Sequence, residues 1–245
     1  MKNELRKFQK GGEIYWFLGI ILISIGVTIC KKADLGVSMI AAPAFIIYDA
    51  IADVAPFFTV GVVEYIVQAF FALLLCAVVG KIKFSYLITI AVGVIYGYVL
   101  DLWLFLFGPE PFGQIWLRYV MLIIGDVITA MGVACFFRTY IPVQSYDVFV
   151  KEVSLRYKLN ISKFKLAYDV SLLVIAVVLA LVLFNDVATF NWAEIYKTSF
   201  HNLGLGTLIT TFINSPIIAF VGKFFDKVLG EEPLLPKMKA FFDRY

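Results

Sequence analysis

Charge is what this sequence lacks most. Only 16% of its 245 residues are charged, against 62% that are hydrophobic. A soluble domain carries about a quarter charged and about half apolar residues, so a solvent-exposed globular fold is excluded. The net charge is +3, and the basic residues sit in loops between apolar runs, so no nucleic-acid partner is expected. Histidine is represented by His201 alone, which leaves no room for a histidine metal site or a Ser-His-Asp triad. Cys30, Cys76 and Cys135 all fall inside apolar runs and read as packing residues, not a disulfide framework. There is no HExxH, no GxSxG and no paired-aspartate protease pattern. No enzyme, no cofactor and no metal is therefore expected. An ATP-binding signature is missing too. The apolar run after MKNELRKFQK is too long for a signal h-region and lacks an A-x-A-like site, so no cleavable signal is expected.

Long hydrophobic runs take the place of all this. Six of them, 14–30, 59–79, 85–107, 116–137, 163–184 and 203–224, are long enough to cross about 30 Å of hydrocarbon. The expected fold class is an all-α integral membrane protein. Thr59 and Ser162 are candidate caps for the helices they precede. Gly19 with Gly26, and Gly125 with Gly132, each put two glycines on one helix face, a surface for close packing. Gly93 and Gly97 form a GxxxG pair, also read as packing. Pro216, behind Asn214 and Ser215, predicts a kink in the last span. Trp192, Tyr196 and Phe200 in the 185–202 loop read as interfacial aromatics. A basic lead, 1–13, precedes the spans, and a short amphipathic basic tail, 225–245, is expected to lie on the membrane surface.

Two stretches interrupt the pattern. KKADLGVSMIAAPAFIIYD, at 31–49, opens with charge, passes Gly36 and Ser38, and becomes a short apolar helix containing Pro43. RTYIPVQSYDVFVKEVS, at 138–154, echoes it. GIILISIGV at 19–27 lines up with GDVITAMGV at 125–133, with Ser38 on Ser145 and Tyr65 near Tyr168. Each half reads span, broken helix, span, span. The expected organisation is one membrane domain over 1–245, with repeat 1 over 14–107 and repeat 2 over 116–224.

Basic residues choose between two topologies. If both broken stretches dip in and return, six full spans and two re-entrant helices result. The lead, the 81–83 turn, the basic 151–165 loop and the tail then share one side. All but Lys31, Lys32, Arg118 and Lys197 of the 21 Lys and Arg residues become cytoplasmic, as the positive-inside rule asks. The two repeats are then inverted, and both termini are cytoplasmic.

A helix that starts inside a membrane exposes unmet N–H groups, which must face protein, water or a ligand. Inverted repeats bring two such starts together near the midplane. The candidate binding residues are therefore Gly36, Ser38, Gln144 and Ser145, with the deep polar residues Glu64, Asp101, Asp126 and Asn214 around them. Asp34, Lys31, Lys32 and Asp169, nearer span ends, are equally well read as water-facing or as structural ion pairs. Helix N-termini favour an anionic or zwitterionic ligand group, while the carboxylates suit a proton or a cation.

ADLGVSMIAAP, FFTVGVVEYIVQ, YGYVLD, YDVFVKEVS and FKLAYD resemble the YczE/YyaS/YitT-type bacterial membrane proteins over about 12–225. The A-x-LG-x-S element at 33–38 is the most specific part. Such proteins often show S-P-W-D after LG, where this chain has Ser38-Met-Ile-Ala. The resemblance implies a multi-pass bacterial cell-membrane protein and brings no catalytic residue. The leading expectation is a small-solute transporter or channel-like permease. The alternatives are a substrate-capture subunit of a multi-component importer and a non-transport accessory or lipid-sensing protein. Lipid bilayer and a small-molecule ligand are the expected partners, and a homo-oligomer is compatible with the sequence.

Overall fold

A computed structural model describes residues 12–228 and 235–242. In chain order its helices are α1 (Glu13–Ala33), α2 (Ala42–Ile51), α3 (Val60–Val79), α4 (Phe84–Phe107), α5 (Ile115–Phe136), α6 (Ser145–Arg156), α7 (Ile161–Leu183), α8 (Leu205–Val228) and α9 (Pro236–Phe242). Among the described residues there is no strand, only an isolated bridge between Phe200 and Leu203. Helices α1, α3, α4, α5, α7 and α8 are long and apolar enough to cross a membrane. Their outer faces expose Phe70 and Leu73, Leu102 and Phe105, Val178 and Val182, and Phe212 and Phe220. Apolar surface on that scale belongs in lipid. The protein is an all-α, multi-pass membrane protein.

Element boundaries have local causes. Thr59 caps α3, its hydroxyl accepting from the Val62 N–H at 3.2 Å. The cap of α7 is Asn160, which accepts from the Lys163 N–H at 3.1 Å. Ser162 therefore lies inside the first turn and is not the cap, because Asn160 reaches the free N–H groups first. The expected 151–165 loop shrinks to 157–160 between α6 and α7. Pro43 sits in the first turn of α2, where its missing N–H costs nothing. Asp34 ends α1 in the left-handed conformation, with φ 53°. Phe200 is buried against Phe190 and Trp192, so it is a packing residue, while Trp192 and Tyr196 stay about half exposed.

The centre of the bundle is the pair α1–α5, the most buried of the spanning helices. A Cβ on Gly26 would stand 2.6 Å from the Gly125 carbonyl oxygen, and one on Gly132 would stand 3.0 Å from that of Gly19. Gly19 meets Gly132 and Gly26 meets Gly125, so α1 and α5 run antiparallel. Most of the other helix contacts come in matched pairs: α3 on α4 and α7 on α8, α1 on α4 and α5 on α8, α2 on α3 and α6 on α7, α3 on α6 and α7 on α2. The contact of α4 on α6 has no counterpart of that extent among the described residues. Gly97 packs against Gly61 in the α3–α4 contact, where a Cβ would stand 2.5 Å from the Gly61 carbonyl oxygen. In the broken stretches, the Ser38 carbonyl accepts from Ala41 and Ala42, and the Gln144 carbonyl accepts from Asp147 and Val148. Gln144, rather than Ser145, thus holds the place of Ser38.

Residues 1–11 of the basic lead lie outside the described residues, as do 229–234 and 243–245 of the tail. In the described part of the tail, Phe241 lies edge-on to Phe84 and Phe242 lies against Tyr140.

Gly26→Leu is expected to destabilise the protein by about 1–3 kcal/mol or more through overpacking. Gly113→Ala, where an added Cβ meets nothing within 4 Å, should be neutral. Thermal unfolding in detergent checks both, and an unchanged Gly26→Leu protein would show that α1 and α5 are not in close contact.

Candidate functional site

The interior shared by α3, α5, α6, α7 and α8 is polar. It holds Glu64 and Gln68 from α3, Asp126 from α5, Tyr146 and Asp147 from α6, Lys165, Tyr168 and Asp169 from α7, and Asn214 and Ser215 from α8. None is more than 8% exposed. Helical spacing puts these groups inward. Lys165, Asp169, Leu172, Ala176 and Ala180 form one buried stripe of α7, and Glu64, Gln68, Phe71 and Leu75 form one of α3. Counted from their caps, Glu64 and Gln68 occupy the same places in α3 as Lys165 and Asp169 in α7.

Some of these groups are paired. The Lys165 Nζ donates to Asp169 Oδ1 at 3.1 Å, and the Ser215 hydroxyl donates to Asp169 Oδ2 at 3.3 Å. Asn214 Nδ2 donates to Asp126 Oδ1 at 2.9 Å. Gln68 Nε2 donates to Glu64 Oε1 at 3.3 Å. The Tyr146 hydroxyl lies beside the Glu64 carboxylate, near enough to interact though outside strict hydrogen-bond geometry. Others are unmet. Glu64 Oε2, Gln68 Oε1, Asp126 Oδ2, Gln144 Nε2, the Tyr146 and Tyr168 hydroxyls, Asp147 Oδ1 and Asn214 Oδ1 have no hydrogen-bond partner. Among the described residues, only Trp103 Nε1 and Ser154 Oγ share that condition elsewhere. Buried polar atoms are nearly always paired, and each unmet one costs about 1–3 kcal/mol. Their concentration in one layer makes that layer the candidate site. Four carboxylates against one ammonium give the layer a negative bias suited to a proton or a cation. No cluster of three or more His, Cys, Asp or Glu residues with metal-site geometry occurs among the described residues. A cavity of about 220 Å³ reaches Lys165 and Ser215 from the end of the bundle near Arg138 and Gly222.

The expected site residues divide between this layer and the span ends. Asp126 and Asn214 bond to each other, and Glu64 belongs to the same layer. Gln144 and Ser145 open α6 beside it, with Ser145 Oγ 3.0 Å from Thr89 Oγ1 on α4. Gly36 and Ser38 are elsewhere, in the loop pressed against the start of α8. There Gly206 N–H donates to Leu35 O at 2.7 Å and Val37 N–H donates to Asn202 O at 2.9 Å. Gly36 has φ +106°, and a Cβ on it would stand 2.3 Å from Thr207 Oγ1, so its role is close packing. Asp101 is not at the midplane. It accepts from the Thr59 hydroxyl at 2.6 Å and the Gly61 N–H at 2.8 Å, closing the exposed first turn of α3.

The model of one family, described as a family of unknown function (DUF6198), matches residues 11–223. The chain belongs to DUF6198. No curated protein and no solved structure matches it. In this DUF6198 protein the sequence reading missed Gln68, Tyr146, Asp147, Lys165, Tyr168, Asp169 and Ser215 as members of the layer. A signal existed for two of them. Lys165 stands four residues before Asp169, and Gln68 four after Glu64, the spacing of side-chain pairs on a helix.

Lys165→Met is expected to cost about 3–5 kcal/mol by stranding Asp169 in the interior. Lys165→Met with Asp169→Leu should recover most of that loss. Thermal unfolding of the single and double variants measures it. A double variant no more stable than Lys165→Met would show that the pair is not the reason for the loss.

Proposed function

We propose that this DUF6198 protein is a secondary transporter or channel-like permease of the cell membrane. Its small solute binds at the buried polar layer, and the carboxylates take up a proton or a cation with it. The observation that carries this reading is the gathering of buried polar atoms without full hydrogen bonding in one layer and at the start of the broken helix beside it. Intramembrane ionisable groups are costly and are kept where an ion or substrate passes.

The helix arrangement supports an inverted repeat. With α3 and α4 crossing between them, α5 opposes α1 only if α2 does not cross. The last turn of α2 supports this, because Asp49 is tied through Asn202 to Lys31 at the end of α1. Likewise Glu152 of α6 meets Lys83 and Tyr86 at the start of α4, the end where α5 stops. Both short helices are then re-entrant, and the matched helix contacts follow from a two-fold axis in the membrane plane. The positive-inside rule puts both termini in the cytoplasm. The resemblance to YczE/YyaS/YitT-type proteins is part of the same proposal.

In a cysteine-free background, Asp53→Cys and Glu110→Cys should react with an impermeant maleimide on intact cells, and Lys158→Cys only after permeabilisation. Reaction of Lys158→Cys from outside would overturn the topology. Proteoliposomes under an inward proton gradient, given a defined mixture of amino acids, organic acids and amines, should concentrate at least one component. Asp126→Asn should abolish that uptake. Failure of every component to exceed protein-free vesicles would overturn transport.

A further inference from the structure

A second and larger cavity, of about 600 Å³, lies at the opposite end of the bundle. Lys31 and Lys32 from the last turn of α1 line it, with Phe45 and Tyr48 of α2 and Leu104 and Phe105 of α4. Its volume is that of a small-molecule site.

The two ammonium groups set its chemistry. Lys32 is only 6% exposed, and its Nζ donates to the Gly108 carbonyl at 2.8 Å. The Lys31 Nζ donates to the Asn202 side-chain oxygen and stands 5.5 Å over the Phe45 ring. Neither forms an ion pair among the described residues. Asp34, the carboxylate lining the cavity, is taken by Arg118 at 3.2 Å and Ser199 at 3.0 Å. Asp49 is held by Asn202 Nδ2 at 2.5 Å, and it and Glu110 act on the lysines only from beyond ion-pair distance. Two adjacent ammonium groups therefore share a cavity whose other walls are largely aromatic and aliphatic. A buried charge wants a partner, and here the protein supplies only neutral acceptors at contact distance.

The cavity at the other end has the same design. Arg138 holds there the place that Lys32 holds in the first half, and it donates to the Gly222 carbonyl as Lys32 does to that of Gly108. A cationic side chain resting on a carbonyl thus marks both mouths.

We propose that the 600 Å³ cavity binds a small organic anion. Its carboxylate or phosphate head lies between Lys31 and Lys32, and its apolar body lies against Phe45, Tyr48 and Phe105. As the class of solute carried, this rests on the transport reading; as a binding site, it does not. Phe105 is 82% exposed on the lipid side, so an anionic lipid headgroup offers the same chemistry as a free anion.

The full chain in phosphatidylcholine nanodiscs, treated briefly with limiting acetic anhydride, tests the site by mass spectrometry of each lysine. Benzoate should slow acetylation of Lys31 severalfold and leave Lys197 unchanged, and benzyl alcohol should do neither. Benzoate should also raise the melting temperature, and Lys31→Gln should remove most of that rise while Lys197→Gln keeps it. Protection in phosphatidylglycerol nanodiscs without benzoate would identify a lipid headgroup as the anion. No protection and no stabilisation by either source would overturn the site, as would a benzoate effect that persists in full in Lys31→Gln. Failure here leaves the proteoliposome test of transport untouched, and protection without transport would leave an anion site and remove the transporter.

Discussion

The bundle depends on how closely α1 and α5 approach. Lipid tails are as apolar as leucine, so helices in a membrane are held by close packing rather than by escape from water. Glycines at 19, 26, 125 and 132 remove the side chains that would hold the two backbones apart. That contact is self-complementary: Gly19 meets Gly132 as Gly26 meets Gly125. It seats α4 on α1 and α8 on α5, and the short helices α2 and α6 pack against α3 and α7 on the flanks.

The halves are alike in packing and different in chemistry. Asp126 follows Gly125 in α5 as Ile20 follows Gly19 in α1. Ile20 belongs to the apolar core, whereas Asp126 bonds to Asn214 in the polar layer. Glu64 with Gln68 in α3 and Lys165 with Asp169 in α7 stand at the same distances from their caps, one pair neutral-partnered and the other ion-paired. The same scaffold positions thus support an oily seam on one side and a charged one on the other. Maintaining unmet polar atoms in the charged seam costs stability, and a well-packed apolar seam would be the more stable choice.

Cations are handled differently from carboxylates. The carboxylates concentrate in the interior, in Asp126, Asp147, Asp169 and Glu64. Lys32 and Arg138 sit at the two ends. Lys32 rests on the Gly108 carbonyl just past α4. Arg138 rests on the Ala134 carbonyl in the last turn of α5 and on the Gly222 carbonyl of α8. Such carbonyls carry partial negative charge and no lipid partner, so a long cationic side chain satisfies them while its stem lines a cavity.

The sequence by itself determined the number and position of the spanning helices, because apolar runs long enough for hydrocarbon are a local property. It also determined the two interruptions, where glycine, proline and charge break those runs, and the glycine faces of α1 and α5. The cap of α7 falls two residues before the expected one, because Ser162 is a capping residue by type and only the backbone geometry gives the place to Asn160. Partnership was decided by tertiary structure alone. Asp126 and Asp101 look alike in sequence, each an aspartate well inside an apolar run. One meets Asn214 in the interior, and the other closes the first turn of α3. Depth along a chain is one-dimensional, whereas the environment of a side chain depends on which helix faces it. That choice was made by contacts between helices, 40 residues apart in the chain for Asp101 and 88 for Asp126.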